Sequence, residues 1–152
     1  MAHLFIGIDS GTQSTKVIAV DSETARVAAE HVTPYGILPT STPGTKEQDP
    51  ATWVEAVDAG ITAVLASAAV RPADVAAIGI SGQQHGLVPL DAEGRVIRPA
   101  KLWCDTSTAG EAAALVARLG GLDATIAALG TAIPAGFTAS KILWLKEREP
   151  EH

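Results

Sequence analysis

The chain has little cysteine and little basic charge, and each shortage excludes a class of protein. Cys104 is the one cysteine among 152 residues, so an internal disulfide and a thiolate metal cluster are both excluded. There are 11 lysine and arginine residues, compared with 17 aspartate and glutamate residues, and the formal net charge is -6. Because nucleic acids and anionic membranes attract clustered basic side chains, we expect neither as a partner. The cysteine content favours a reducing compartment.

Long hydrophobic runs and the best-known phosphate motifs are also missing. No apolar run approaches the roughly 18 residues that a membrane span needs, and MAHLFIGIDSG lacks the charged start and long apolar centre of a signal peptide. We therefore expect no membrane partner and a cytoplasmic location. Neither GxxxxGK(S/T) nor GxGxxG occurs. A hydrophobic content of 47% with 18% charged residues predicts one soluble domain over residues 1–152.

Residues 4–21, LFIGIDSGTQSTKVIAVD, predict two strands joined by a polar turn. Asp9 ends the first apolar run and is followed closely by Gly11 and several small polar residues. A carboxylate followed by a glycine and small polar residues can offer a metal ligand together with several backbone N–H donors for a polyphosphate. A hairpin whose polar turn only faces water explains the same stretch equally well, so both interpretations stay open here.

The rest of the first half predicts a third strand, a long loop, a helix and a buried strand. Residues 26–32 would complete an antiparallel meander, and the proline-rich residues 33–50 would form an irregular loop. Asp49 and Pro50 are typical of a helix start. The predicted buried face of that helix comprises Trp53, Val57, Ile61, Val64, Leu65 and Ala68, with Pro72 ending the helix. The apolar run 75–80 predicts a central strand covered on both faces.

The second half predicts a small hairpin, a short strand and three helical segments. Residues 87–90 and 95–97 would flank the hairpin turn, and Leu102 with Trp103 would form the short strand. Thr108 and Glu111 form the pattern of a capping box at the start of a helix that ends near Gly120. Weaker helical patterns follow at 126–129 and 142–145. The whole layout is α/β, with three antiparallel strands followed by alternating helices and strands in a mixed sheet.

A second polar cluster, SGQQHG, begins directly after the predicted buried strand. Ligands of open α/β sheets bind beyond the carboxyl ends of parallel strands, which is where this cluster falls. The amides of Gln83 and Gln84 and the imidazole of His85 suit several hydroxyl groups of a sugar or polyol. A solvated polar turn is the alternative. Asp105 is a further candidate, and a carboxylate at a helix start is its alternative explanation.

Five motifs occur in a fixed order across nearly the whole chain. They are IGIDSGTQSTK, EQDP, IGISGQQHGLVPLD, RPAKLWCD and PAGFTASKILWL. Together they resemble the start of the FGGY carbohydrate kinases and, within that family, most closely the xylulokinases. The resemblance implies an actin-like, hexokinase-like ATPase fold with a ribonuclease H-like core, in which a βββαβα unit occurs in each of two domains around a cleft. It also implies transfer of the γ-phosphoryl group of ATP, with Mg²⁺, to the 5-hydroxyl of D-xylulose.

The resemblance also implies roles for individual residues. Asp9 would hold the magnesium ion, through water, near the β- and γ-phosphates. The phosphates would lie against Gly11, Thr12, Gln13 and Lys16. The sugar would be contacted by Gln84 and His85 and bordered by Trp103 and Asp105. The expected partner is thus a small-molecule sugar, and a homodimer of the full-length protein is compatible with the family.

Three departures from the family pattern limit what the resemblance implies. The common xylulokinase motif resembles GQMHG where this chain has GQQHG, and Thr106 to Thr108 replace an arginine that often follows the WxD element. Family members are far longer, and the general-base aspartate and the adenosine-binding region would lie outside these residues. We expect the 152-residue chain alone to bind sugar weakly and to turn over nothing. Another FGGY substrate, such as ribulose, gluconate or glycerol, and a non-catalytic sugar-binding module remain alternatives.

Overall fold

The computed structural model describes residues 3–152, so Met1 and Ala2 of the predicted domain 1–152 lie outside the described residues. The strands are β1 (Leu4–Ser10), β2 (Ser14–Asp21), β3 (Val27–Pro34), β4 (Glu47–Gln48), β5 (Val75–Gly82) and β6 (Ala100–Lys101). The α-helices are α1 (Pro50–Leu65), α2 (Ala109–Arg118), α3 (Leu122–Leu129) and α4 (Thr138–Arg148), and a 3₁₀-helix spans Pro72–Asp74. The chain forms two compact units. The first runs to Ile37 and resumes over Pro50–Gln83, and the second comprises Leu38–Asp49 and Gln84–His152.

The first unit is a four-stranded mixed sheet in the order β3-β2-β1-β5. β1, β2 and β3 form the predicted antiparallel meander, and β5 pairs in parallel with β1 after the crossover through α1. A parallel pair needs such a crossover, whereas antiparallel neighbours need only a tight turn. The predicted sequence of three antiparallel strands, a helix and a further strand is therefore confirmed.

The prediction that residues 75–80 form a central, fully covered strand is wrong. β5 lies at the edge of the sheet, and Ile78 and Ile80 are 54% and 75% exposed. Their register partners on β1 are Ile6 and Ile8, which are buried. The helix α1 packs mainly on β2 and β3, so it leaves the same face of the sheet uncovered at β5. An apolar run indicates that a strand can be buried, but it does not indicate which segment of the protein covers the strand.

The hydrophobic core of the first unit lies between the sheet and α1. It contains Leu4, Ile6, Ile8, Val17, Ala19, Val64 and Val70. The buried residues of α1 include Ala56, Gly60 and Val64, while the predicted Val57, Ile61 and Leu65 are partly buried beside them. Ala68 lies beyond the helix, which ends at Leu65 rather than at Pro72. The predicted helical face is correct in direction, but its centre lies on the small residues Ala56 and Gly60.

Gly60 is where α1 comes closest to the sheet. A Cβ atom added there would overlap the side chain of Val17, which is fully buried. We expect Gly60→Ala to lower the free energy of unfolding by about 1–3 kcal/mol, since overpacking outweighs the helix propensity that alanine gains. Urea denaturation would measure this change. Gly110→Ala on α2, where an added Cβ meets nothing within 4 Å, is the matched control and should be neutral or stabilising. Equal stability of the two variants would contradict the close packing.

The second unit joins a two-stranded ladder to three helices. β4 and β6 are antiparallel, with Glu47 opposite Lys101. The predicted hairpin turn is present, because Asp91 N–H donates to the Arg95 carbonyl at 2.9 Å and Leu90 bridges Val96. The predicted strand at Leu102 and Trp103 is wrong, since the strand is Ala100–Lys101. Within residues 3–152 no single helix has the length and apolarity to cross a membrane; α2 and α3 together meet that test by length and composition, but they are bent by 80° at their break.

The predicted capping box at the start of α2 does not form. Thr108 is the N-cap residue, but its hydroxyl lies 3.0 Å from the Ala135 carbonyl oxygen, to which it donates, and 2.9 Å from the Ser140 hydroxyl. The Glu111 side chain is largely buried and forms an ion pair with the Arg148 guanidinium at 3.5 Å. The local pattern predicts that Thr108 and Glu111 cap the helix together, but both side chains instead contact residues that are distant in sequence.

Candidate functional site

The turn between β1 and β2 (residues 11–13) has the geometry of the predicted polar turn. Asp9 is opposite Lys16, and Ser10 is opposite Thr15. The Gly11 N–H donates to the Ser14 carbonyl at 2.9 Å and closes the turn. Directly opposite residues of an antiparallel pair lie on one face of the sheet. The carboxylate of Asp9 and the ammonium of Lys16 therefore share a face beside the turn.

Two residues outside the hairpin hold this turn. The Tyr35 hydroxyl donates to the Gly11 carbonyl at 2.8 Å, and the Tyr35 N–H donates to the Gln13 carbonyl at 2.9 Å. From the end of β5, the Gln83 N–H donates to the Ser10 carbonyl at 3.0 Å, and the Gln83 amide oxygen accepts from the Thr12 hydroxyl at 3.2 Å. No local pattern indicates either role, because Tyr35 lies in the predicted irregular loop and Gln83 belongs to the predicted sugar cluster.

The sheet face that carries Asp9 has a shallow groove of about 370 Å³. Its polar edge is the row Lys16, Asp9 and Ser81, which are register neighbours across β2, β1 and β5. The next row contains Gly7 and Gly79, whose missing side chains leave the groove open. Lys16 forms an ion pair with Glu30 at 3.1 Å, and about half of each side chain is exposed. Such an exposed pair is weak, so Lys16 can exchange Glu30 for another anion at little cost.

Asp9 is the metal ligand that the sequence predicts, and its surroundings fit magnesium. Among residues 3–152 no group of three or more His, Cys, Asp or Glu side chains could hold a metal ion. An all-protein cage is thus absent from this part of the chain. Mg²⁺ usually keeps several waters and takes one or two carboxylates together with substrate phosphates. A single exposed carboxylate beside a polar turn fits that pattern.

The predicted sugar residues lie in the second unit, where both the backbone and the ring of His85 are constrained. His85 has φ 59°, in the left-handed region that non-glycine residues seldom adopt. Its ring stacks on the Phe137 ring with centroids 4.1 Å apart and an interplanar angle of 11°. Gln84 and His85 are both exposed, and Trp103 is 51% exposed. These three side chains are therefore accessible to a ligand.

Asp105, in contrast, is 0% exposed. Its carboxylate accepts from the Lys46 N–H at 2.8 Å, from the Lys101 ammonium at 3.1 Å and from the Ser107 hydroxyl at 2.6 Å. Burial on its own would raise the pKa of Asp105, but the hydrogen bonds from Ser107 and Lys46 and the charge of Lys101 outweigh it and hold the pKa below its ordinary value of 3.8. The side chain is fully buried and both carboxylate oxygens accept hydrogen bonds, which favours a structural role for Asp105 over direct contact with sugar.

Lys101 is the centre of that buried network. It is 1% exposed and pairs with Asp105 and with Glu47, each at 3.1 Å. Its ammonium also lies 4.3 Å from the centroid of the Trp144 ring, while the Arg98 guanidinium carbon lies 4.9 Å from the same ring. Arg98 pairs with Glu47 at 2.7 Å. The sequence offered no local signal for this network, because its members come from β4, β6, α4 and the loops beside them.

The predicted site residues therefore fall into two sets. Asp9, Gly11, Thr12, Gln13 and Lys16 are together in the first unit, around the β1–β2 turn. Gln84, His85, Trp103 and Asp105 are in the second unit, where Asp105 is buried and the other three are exposed. The first set offers a carboxylate, an ammonium group and a backbone turn, and the second offers amide, imidazole and indole groups.

Comparison with known proteins identifies the family. Residues 4–152 match the N-terminal domain of the FGGY family of carbohydrate kinases, and the chain belongs to this family. It is 41% identical over 152 residues to the xylulose kinase of Haemophilus influenzae, covering 97% of this chain and 31% of that protein. The crystal structure of xylulose kinase from Bifidobacterium adolescentis is similar with TM-score 0.83 and 34% identity, covering 99% of this chain and 30% of that one.

A more distant neighbour shares the fold. The crystal structure of Plasmodium falciparum glycerol kinase with ADP is similar with TM-score 0.83 at 24% identity, covering 99% of this chain and 30% of that one. The predicted α/β class, with its mixed sheet and actin-like ATPase core, is thereby confirmed. The chain spans about 30% of the length of the relatives that it matches.

Proposed function

We propose that this chain is the N-terminal part of an ATP-dependent sugar kinase that converts D-xylulose to D-xylulose 5-phosphate. The observation that carries the proposal is the placement of Asp9 and Lys16 side by side at a turn whose backbone is held from both sides. The similarity to xylulose kinases supports the choice of sugar. Cytoplasmic location and ATP as phosphoryl donor are parts of the same proposal.

Phosphoryl transfer depends on positioning and on charge stabilisation, and the first unit offers residues for both. The Asp9 carboxylate would hold water molecules of a magnesium ion, and the backbone of residues 11–13 would face the phosphates. When bound, Mg²⁺ would neutralise charge that develops on the phosphates. The Lys16 ammonium would leave Glu30 and turn to a phosphate oxygen, a stronger charge-assisted hydrogen bond than the exposed ion pair.

The second unit offers residues that would orient the sugar. Gln84 can donate and accept with its amide, and His85 can do the same with its two ring nitrogens. The half-exposed Trp103 offers an apolar surface beside polar groups, a combination common in sites for small polar molecules. The carboxylate that accepts the proton of the sugar hydroxyl would lie outside this chain. We therefore expect turnover from a full-length protein that has this chain as its N-terminal part, and none from residues 1–152 alone.

A panel of sugars tests the proposed substrate. A ligand stabilises the native state by about 2.7 kcal/mol when its concentration is 100 times its Kd. We expect D-xylulose to raise the Tm of the full-length protein more than ribulose, gluconate or glycerol at equal concentration. The variant His85→Ala should lose most of this shift, whereas the control His31→Ala on β3 should keep it. If another compound raises the Tm more than D-xylulose does, that compound is the better candidate substrate. No shift with any of them would contradict the sugar site.

A further inference from the structure

His85 is held in an unfavourable backbone conformation by contacts from another part of the second unit. A non-glycine residue with φ near 59° persists only where its surroundings favour that conformation. Gly86 follows it, and the chain then turns into the segment that pairs with β6 through the Leu87–Lys101 bridge. Two contacts from distant parts of the sequence constrain His85, one from helix α4 and one from the loop that precedes it.

The first such contact comes from Lys141 on the first turns of α4. Its side chain is fully buried, and its ammonium donates to the His85 carbonyl at 2.7 Å and to the Gly136 carbonyl. A buried ammonium is stable only when its hydrogen-bonding capacity is used, so these carbonyls and Lys141 constrain one another. Lys141 thus connects the backbone of His85 to the loop that precedes α4.

The second contact comes from that same loop. The Phe137 ring stacks on the His85 ring, and the loop itself is fixed by Ser140, whose hydroxyl oxygen lies 3.0 Å from the carbonyl oxygens of both Ala135 and Phe137 and shares its single hydrogen between them. Gly136 lies against the Trp103 carbonyl, where an added Cβ would overlap the oxygen atom. Phe137 therefore presents its ring from a rigid segment. One side of the imidazole is covered by Phe137, while the side chain as a whole stays exposed.

We propose that Lys141 and Phe137 are positioning residues of the sugar site, which hold the backbone and the ring of His85 in the orientation that contacts sugar. This inference rests on the proposed function, because it gives His85 the role of a sugar ligand. Lys141 itself contacts no substrate, since its ammonium is turned inward to the two carbonyls.

A double-mutant cycle in the full-length protein tests this inference. Lys141→Met and Phe137→Leu should each raise the KM for D-xylulose on the order of 10-fold or more, because a displaced His85 no longer contacts the sugar with the correct geometry. Both variants should leave the KM for ATP within about 2-fold. In a His85→Ala background the same substitutions should change the KM for D-xylulose by less than about 2-fold, since they act through His85. The control Lys146→Met, at an exposed position of α4, should match the wild type.

An NMR spectrum gives a readout that does not depend on activity. Protons of the His85 ring lie over the Phe137 ring, so their signals should be shifted upfield in the wild type and should move toward unstacked values in both variants. Circular dichroism would confirm folding of each variant. If Lys141→Met does not fold, Phe137→Leu carries the whole test, because it replaces one apolar side chain by another.

The outcomes separate this inference from the proposed function. A wild-type KM for D-xylulose in His85→Ala would overturn the sugar site itself. A raised KM in His85→Ala combined with a wild-type KM in Lys141→Met or Phe137→Leu would overturn only the positioning role. Full additivity in the double variants would also overturn it, because the residues would then act independently of His85.

Discussion

Replacing Asp105 with alanine should lower the free energy of unfolding by about 3–5 kcal/mol, a large part of the 5–15 kcal/mol that stabilises typical proteins. The substitution leaves Lys101 buried and charged, with Glu47 as its remaining ionic partner. It also removes the acceptor of the Lys46 N–H and of Ser107. Urea denaturation followed by tryptophan fluorescence would measure the loss, since Trp144 lies against Lys101. Asp58→Ala, at an exposed position in the middle of α1, is the control and should change stability by less than about 0.5 kcal/mol.

The same carboxylate predicts part of the acid sensitivity of the protein. The pKa of Asp105 is lower in the folded state than its ordinary value of 3.8, so the unfolded state binds the proton more readily. The stabilisation is therefore complete above the unfolded pKa and is lost as the pH falls through the folded pKa. Asp105→Asn should flatten the stability profile in this acid range. An unchanged slope below pH 4, or a destabilisation below about 1 kcal/mol in Asp105→Ala, would contradict the buried ion pair.

Replacing Asp9 with alanine should lower the kcat of the full-length protein by about 10³-fold or more, because it removes the proposed support of the metal ion. The KM for D-xylulose should stay within a few-fold, since the metal acts on phosphate rather than on sugar. Steady-state kinetics with ATP and D-xylulose varied in turn would measure both parameters. Asp58→Ala, at an exposed position of α1, should leave both unchanged.

A different pattern in Asp9→Ala would assign the residue another role. An equal loss of sugar affinity and turnover would show that Asp9 supports the fold of the β1–β2 hairpin. Thermal denaturation of the variant distinguishes this case, because Asp9 is exposed and its replacement should cost little stability. A kcat close to that of the wild type would exclude Asp9 as the proposed metal ligand.

The sequence predicts the β1–β2 hairpin, the crossover through α1 and the polar end of β5 because each depends on local periodicity. Asp9 interrupts an apolar strand. Pro50, the first residue of α1, directly follows the carboxylate of Asp49. Both signals are contained within a few residues. The parallel direction of β5 agrees with the intervening helix, since parallel neighbours require a crossover, but its place at the edge of the sheet beside β1 was not predicted.

The remaining features depend on residues that are distant in sequence. Tyr35 reaches Gly11 from the end of β3, and Lys141 reaches His85 from 56 positions away. Thr108 and Glu111 satisfy a capping pattern, but both side chains have tertiary partners instead. From their residue type alone, Lys101 and Lys141 would be expected at the surface, because lysine is seldom fully buried without partners. Their partners are visible only once the chain is folded.

The identity of the product tests the central proposal most directly. The full-length protein would be incubated with ATP, Mg²⁺ and D-xylulose, and the phosphorus NMR spectrum would be recorded as ATP is consumed. We expect ADP together with a new phosphomonoester whose phosphorus couples to the C5 protons of the sugar. Consumption of ATP with inorganic phosphate as the product, phosphorylation at another carbon, or no change in the spectrum would each contradict the proposal.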